Sequence, residues 1–234
     1  MDYEIIGSSM QSLRINLKQG EKFYSDSGKI LSKSSTVSMT PRMVGGIVGA
    51  IERKMTGATG MLTEFKADKA NGYASLSGVM PGKVVAIELG ANEAFVAEQY
   101  AFLAAQDTVT FSMQTLGFGA TFFGGEGIIL QKLVGPGTIF IHVVGDIIEH
   151  DVDESSAIEV DPGHIAGYSS TLQFKVRFVD NIRTAMFGGV GLFLANFTGK
   201  GKLYLHSISR YKLSAEIYHQ GKLQNPKDNK PYQQ

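Results

Sequence analysis

The chain has 234 residues, and its 22 Lys and Arg residues balance 22 Asp and Glu residues, so the formal net charge is zero. This balance disfavours general nucleic-acid binding, because phosphate backbones are bound through an excess of basic residues. The absence of cysteine excludes disulfides, thiolate zinc sites, iron–sulfur clusters and a thiol nucleophile. A hydrophobic content of 43% is enough for a core in one large domain or two small ones.

The N-terminus contains acidic residues and no basic region, so we expect no secretory signal, and a cytoplasmic location is the default expectation. Two stretches lack charged residues, 108–125 and 184–199. Both contain several polar residues, and the second is too short to cross a bilayer. We interpret both as buried β segments rather than membrane helices.

Three segments of the chain align with one another without gaps, at offsets of 72 and 63 residues. Apolar residues coincide at five positions in all three copies, and one carboxylate and one threonine coincide as well. Upstream, the alternation of Leu13, Ile15 and Leu17 predicts a half-buried strand. The first repeated segment therefore covers residues 10–39, 82–111 and 145–174.

A second repeated segment covers residues 123–142 and 187–206, with a weaker copy at 57–77. In each copy two alternating strands flank a turn, and a Gly-x-Gly turn in the two stronger copies predicts a β-hairpin. The glycines supply the positive φ that such turns need.

The two kinds of segment alternate along the chain, but the first copy at 10–39 and the last copy at 188–208 each lack a neighbour of the other kind. We expect these two pieces to complete one another, so that three units close around a pseudo-threefold axis and cover their sheet edges. The prediction is a single β domain over residues 1–219, built of the units 57–111, 124–174 and 188–208 completed by 10–39.

Helical signals are few. Thr40 and Pro41 favour a helix entry at the start of residues 40–54, although glycines weaken it. Residues 180–186 are compatible with a short turn. The polar segment 220–234, which contains two prolines, is predicted to be a disordered tail.

The opening Tyr-Glu-Ile-Ile-Gly at 3–7, the segment 95–104 and the Gly-Leu-Phe-Leu-x-x-Phe-x-Gly-x-Gly pattern at 191–201 resemble the mitochondrial-biogenesis family named for altered inheritance of mitochondria. That family has uncharacterised bacterial and archaeal members, and the resemblance covers roughly residues 3–210. It implies an all-β, double-stranded β-helix-like or sandwich-like fold, related to the tryptophan-RNA-attenuator architecture, with internal repeats and few short helices. It implies no set of catalytic residues.

His142 and His206 occupy equivalent positions in the second repeated segment, and Ser77 stands at the third. Each histidine follows an alternating strand, which places it on the face opposite the aliphatic residues. One interpretation is a metal or anion site near the pseudo-axis. The other is a surface or strand-end histidine repeated by duplication, which we favour because two histidines and a serine are a poor ligand set.

His150 breaks the repeat, since the other copies have isoleucine there. Alternation would place Glu149, Asp151 and Asp153 on one face, as a cation site or, as we favour, a solvated acidic face. A carboxylate recurs in all three first segments, and we expect it to cap turns rather than to act in acid–base catalysis. These three carboxylates are Asp26, Glu98 and Asp161.

The glycine-rich runs 124–127 and 188–191 superficially suggest phosphate loops, but neither is followed by Lys-Ser/Thr or lies between a strand and a helix. Two apolar, glycine-rich linkers at 43–51 and 116–123 lie outside the repeated strands. They either contact another subunit or a membrane surface, or they cap the ends of the barrel.

We expect a non-enzymatic binding or scaffold protein that associates into a homo-oligomer through its β edges or apolar linkers, with a link to membrane organisation and peripheral membrane contact as further options. One alternative is a small-ligand or single-stranded RNA binder that uses the sheet surface. Another is a metal-dependent, cupin-like enzyme built on His142, His206 or His150. No catalytic, cofactor or metal residues are assigned, and no cofactor is expected.

Overall fold

The computed structural model describes residues 1–42, 62–116, 128–178 and 193–224. These ranges contain nineteen β-strands, one α-helix and one short 3-10 helix, so the predicted all-β class is confirmed. The first strands are β1 (Asp2–Ile6), β2 (Ser12–Leu17), β3 (Lys22–Asp26), β4 (Ile30–Lys33), β5 (Val37–Arg42), β6 (Leu62–Ala67) and β7 (Gly72–Ser77). They are followed by β8 (Gly82–Leu89), β9 (Ala94–Glu98), β10 (Phe102–Gln106), β11 (Thr110–Leu116), β12 (Ile128–Val134) and β13 (Gly137–Val144). The last elements are β14 (Ile147–Val152), β15 (Ile158–Val160), the 3-10 helix (Pro162–His164), β16 (Ile165–Ser169), β17 (Gln173–Phe178), β18 (Phe193–Thr198), β19 (Gly201–His206) and α1 (Arg210–Gln224).

The strands form four antiparallel sheets. Their strand orders are β1-β2-β7-β4, β5-β6-β3-β10-β13-β8, β11-β12-β9-β16-β19-β14 and β15-β18-β17. Three consecutive groups of six strands, β2–β7, β8–β13 and β14–β19, show the same pairing order. In each group the sixth strand lies between the first and the third, and the fifth lies between the second and the fourth.

The two half-sheets of each group pack their apolar faces together. In the first group, Leu13 and Leu76 from one half-sheet share a cluster with Phe23 and Phe65 from the other. The rings of Phe23 and Phe65 are stacked with centroids 4.6 Å apart. Comparable clusters form around the second and third groups. The predicted face of Leu13, Ile15 and Leu17 is confirmed, since all three side chains are buried.

The groups are joined by two strand junctions of the same kind. The third strand of the second group, β10, pairs with β3, and Ala104 lies opposite Ser25. The third strand of the third group, β16, pairs with β9, and Gly167 lies opposite Ala97. Ala104 and Gly167 are 63 residues apart, and Ser25 and Ala97 are 72 residues apart. These are the offsets that relate the aligned segments, so the strands pair in the same register at both junctions.

The predicted hairpins are wrong. β12 and β13 are consecutive, yet β12 pairs with β11 and β9 whereas β13 pairs with β8 and β10. β6 and β7, and β18 and β19, likewise lie in different sheets. The short connections turn the chain from one sheet into the other, and Gly199, with φ of +102°, supplies a positive-φ residue at one of them.

The predicted grouping of the pieces also differs from the pairings. β18 and β19 pair with β14 to β17, and the first segment at 10–39 is completed by β6 and β7, not by residues 188–208. Each group is therefore contiguous in sequence, which is the usual outcome because nearby strands pair with short connections.

The helix predictions also need correction. Thr40 and Pro41 do not begin a helix but belong to β5, an edge strand, where proline is tolerated because it need not donate a ladder hydrogen bond. The α-helix lies instead at Arg210–Gln224, so residues 220–224 of the predicted disordered tail are helical. Residues 43–54, 180–186 and 225–234 lie outside the described ranges.

Candidate functional site

Among the second and third strands of the three groups, two have an open edge where their counterparts are paired on both sides. The third strands β10 and β16 are hydrogen-bonded on both sides, whereas in the described ranges β4 pairs only with β7. The second strands β3 and β9 are also paired on both sides, whereas β15 pairs only with β18. The remaining open edges belong to first and fourth strands. Of the first strands, β8 and β14 are edges, whereas β2 is covered by β1. The fourth strands β5, β11 and β17 are edges in all three groups.

Exposure follows this difference in pairing. Ile30 and Leu31 of β4 are 38% and 63% exposed. Their counterparts at the same offset in β10, Phe102 and Leu103, are fully buried. An exposed strand edge with apolar side chains is a template for pairing with another strand.

The second feature is a cavity of about 160 Å³, here called the histidine cavity. It lies where the β3–β4 and β9–β10 turns approach the ends of β13 and β19 and the start of α1. Apolar side chains supply part of its wall, and polar side chains supply the rest. The lining residues are Val79, Met80 and Val144, with Lys29, Glu98, Tyr100, His142, His206 and Arg210.

Both histidines of the cavity are buried, with 4% of His142 and 5% of His206 exposed, so they are not surface histidines. The strand-end part of the favoured interpretation fits His206, which ends β19. The backbone N–H of Val144 donates to Nδ1 of His206 at 2.9 Å, and this leaves the proton of the neutral ring on Nε2. Burial lowers the pKa of each histidine to about 4. Lys29 adds to this effect at His142, and His142, His164 and Arg210 add to it at His206.

The charged groups of the cavity are held by local contacts. The ammonium of Lys29, a residue only 6% exposed, lies 3.7 Å from the Asp26 carboxylate. The guanidinium carbon of Arg210 lies 3.2 Å from the ring centroid of Tyr100, in a cation–π contact. Desolvation raises the pKa of Glu98 to about 7, against the opposing effects of Arg210 and of backbone hydrogen bonds.

Comparison with known proteins identifies the family. A family model described as mitochondrial biogenesis AIM24 matches residues 3–208. The chain belongs to the AIM24 family. An uncharacterised protein of Streptococcus pyogenes serotype M6 is 25% identical over 213 residues, covering 87% of this chain and 85% of that protein. An X-ray structure of a Streptococcus pyogenes protein has a TM-score of 0.77 at 22% identity, covering 94% of this chain and 99% of that one, and it shows the shared fold.

The three repeated carboxylates cap turns in this AIM24-family chain, as predicted. Asp26 accepts a hydrogen bond from the backbone N–H of Ser27, Glu98 from that of Tyr100, and Asp161 from that of Gly163. The cavity nevertheless gives Glu98 a second environment, which its two counterparts do not share, because it alone of the three lines the cavity.

The carboxylates of the acidic face around His150 have partners within the chain. Lys202 of β19 forms ion pairs with Glu149 and Asp151, the latter at 3.3 Å. Asp153 accepts hydrogen bonds from the backbone and hydroxyl of Ser155. In the part of the chain that the structure describes, no group of three His, Asp or Glu side chains is placed so that it could hold a metal ion.

Several sequence candidates lie outside the described ranges. These are the glycine-rich runs 124–127 and 188–191, the linker 43–51 and all of the linker 116–123 except the strand-end residue 116. No helix within the described ranges is long and apolar enough to cross a membrane.

Sequence reasoning missed Lys29, Tyr100 and Arg210 as cavity residues. Lys29 and Tyr100 lie in the turns that follow the repeated carboxylates, and Arg210 begins a helix that the sequence pattern did not predict. The sequence signal that could have identified Lys29 and Tyr100 was the repeated carboxylate, because the turns after Asp26 and Glu98 contain these two cavity residues.

Proposed function

We propose that this AIM24-family protein is a non-enzymatic scaffold that assembles with copies of itself, strand β4 of one copy pairing with β15 of the next. The observation that supports this most directly is the pair of open edges. Third and second strands pair with each other at both junctions within the chain, and only β4 and β15 have no such partner in the described ranges.

In this assembly the three six-stranded groups act as copies of one module. A chain of three modules has two internal junctions and leaves one half of a junction free at each end. A second copy supplies the missing half. This contact is head-to-tail, so it closes into a ring or continues as a filament.

The two internal junctions also specify the register of the third. Applying the same offsets to Gly167 opposite Ala97 places Ser32 opposite Val160 and Lys33 opposite Glu159. Opposite charges that face each other across an antiparallel pair stabilise it. Within the chain, the ammonium of Lys33 donates to the carbonyl of Val37 at 2.6 Å. The guanidinium of Arg177 donates to the carboxylate of Glu159 at 2.7 Å. Both charged side chains are therefore ordered beside the open strands.

Apolar burial adds to the backbone hydrogen bonds of such a contact. Leu31 is 63% exposed, and its counterparts Leu103 and Ala166 are fully buried. Full burial of a leucine side chain is worth about 1.5–3 kcal/mol relative to exposure. An interface on β4 would therefore recover part of this free energy for every copy added.

The mass of the protein in solution tests the proposal. Size-exclusion chromatography with light scattering should show an oligomer for the unaltered chain at micromolar concentration. Leu31→Asp should shift it toward the monomer, with a dissociation constant raised by about tenfold or more, since a charge would then enter the contact. Met10→Asp is the matched control, because Met10 is 73% exposed and connects β1 and β2, which lie on the side of their sheet opposite β4.

Two results would overturn the proposal. One is a monomer at every concentration for the unaltered chain. The other is an oligomer that Leu31→Asp and Met10→Asp affect equally. Circular dichroism of both variants separates loss of assembly from loss of folding.

A further inference from the structure

We propose that the histidine cavity is a binding site for a small organic anion, a monocarboxylate whose apolar body is about the size of benzene. The site lies within one chain, so this proposal stands apart from assembly. It rests on the size of the cavity, on the excess of donors in its wall and on the buried His142.

Size sets the upper limit for a ligand. The cavity measures about 160 Å³, and an apolar protein cavity of roughly 150 Å³ is known to hold benzene. Val79, Met80 and Val144 supply an apolar wall for such a body. Val79 is 81% exposed, and an exposed apolar residue beside a cavity is suited to contact an entering ligand.

Charge and hydrogen-bonding capacity favour an anion. Lys29 and Arg210 both line the cavity as cations, and His206 adds the N–H of its Nε2. Glu98 is the one carboxylate of the lining, and its Oε2 already accepts a hydrogen bond from the Tyr100 backbone at 2.9 Å. The wall thus has more donors than acceptors, which is unfavourable for a cation and complementary to a carboxylate.

His142 provides a further indication of a ligand. The side chain is 4% exposed, and among the described residues no hydrogen bond to its ring is seen. His142 lines the cavity, so a ring nitrogen that reaches its surface can exchange a hydrogen bond with a ligand or a water molecule there.

Benzoate is a suitable probe, and benzamide is its neutral control of nearly equal size. We expect isothermal titration of the full chain to show saturable binding of benzoate with one site per chain. Benzamide should bind at least about tenfold more weakly, because it lacks the charge that Lys29 and Arg210 would pair with. This comparison needs no altered protein.

A pair of arginine variants tests whether the cavity residue Arg210 binds the carboxylate. Arg210→Gln should weaken benzoate binding by about tenfold, whereas Arg14→Gln should leave it unchanged. Arg14 is a matched control, because it also stacks on a tyrosine, Tyr73, at 3.9 Å, but outside the cavity. The proposal is overturned by absence of saturable benzoate binding to the folded chain, by equal binding of benzamide, or by equal effects of the two arginine variants.

Discussion

Gly78 lies directly against the imidazole of His142. A Cβ added at Gly78 would come within 2.3 Å of three ring atoms, and one added at Gly82 would come within 2.9 Å of ring Cε1. Gly78, in the connection from β7 to β8, and Gly82, the first residue of β8, therefore pack directly against this buried imidazole. This close packing is possible only because neither residue has a side chain.

Replacement of Gly78 by alanine should destabilise the protein. The backbone at Gly78 is not in the left-handed region, so the effect comes from overlap with the imidazole, and overpacking of this kind costs about 1–3 kcal/mol. Urea unfolding at neutral pH measures it.

Gly221→Ala is the control for this variant. No atom lies within 4 Å of a Cβ at Gly221, which is in helix α1, so alanine there should stabilise by about 0.5–1 kcal/mol. Equal stability of Gly78→Ala and the unaltered protein would show that the imidazole does not rest where the structure places it.

The repeat pattern predicted the environment of His142 only in part. The sequence alone showed that His142 is equivalent to His206 and that an alternating strand precedes it. Alternation placed both on the face opposite the aliphatic residues, and such a face is solvated in a two-layer sheet. Here another group packs on that face too, so every residue of β13 after Gly137 is buried, and period-2 spacing cannot show this.

The two buried histidines should make the protein sensitive to acid. Their pKa is about 4 in the folded chain and about 6.5 when unfolded, so protons bind preferentially to the unfolded chain between these values. Stability is complete above pH 6.5 and is lost progressively as the pH falls to about 4, by about 3 kcal/mol at most for each histidine.

His142→Gln removes one of the titrating groups and should flatten this pH dependence. Thermal unfolding of both proteins from pH 7 to pH 4, at one protein concentration because assembly also shifts the midpoint, gives the comparison. A variant whose stability falls with acid as steeply as that of the unaltered protein would contradict the assignment.

Glu98 should act in the opposite direction. Its raised pKa, about 7 against about 4.5 when unfolded, means that the folded chain binds the extra proton, so its contribution favours folding below pH 4.5 and is lost as the pH rises through 7. Glu98→Gln keeps an oxygen acceptor for the Tyr100 N–H and removes the charge.

We expect Glu98→Gln to be more stable than the unaltered protein at pH 8. Because the side chain is only half-buried, we discount the effect for solvent screening to about 1 kcal/mol, which is about 2–4 °C in Tm for a chain of this size. The gain should shrink below pH 5. Asp153→Asn is the control, since Asp153 is an exposed turn carboxylate whose hydrogen bonds to Ser155 and Ser156 lower its pKa, and it should show no gain at pH 8.

The sequence predicted the strands better than their partners. The aligned segments 23–39, 95–111 and 158–174 correspond to three successive strands in each group, and the carboxylate turns were placed correctly. The hairpin prediction failed because a short glycine turn between two alternating strands is compatible both with a hairpin and with a corner between sheets. The open edges of β4 and β15 could not be predicted, since their sequences align with strands that are paired.

The contact between copies can be tested directly because the chain contains no cysteine. In the proposed register Lys33 of one copy lies opposite Glu159 of another. Directly opposite residues in antiparallel strands have Cα atoms about 4.5–5.5 Å apart, which is within the range that a disulfide spans. Two singly substituted proteins, Lys33→Cys and Glu159→Cys, can therefore be mixed and oxidised, with Ser32→Cys in place of Lys33→Cys as the out-of-register control.

This cross-linking measurement addresses the central claim most directly. If β4 of one copy pairs with β15 of the next, the mixture of Lys33→Cys and Glu159→Cys should give a disulfide-linked dimer of one chain of each kind on non-reducing gels. The mixture with Ser32→Cys should give far less, because that side chain points to the other face of the strand. Equal cross-linking in the two mixtures, or none in either while both proteins remain folded, would contradict the proposed pairing.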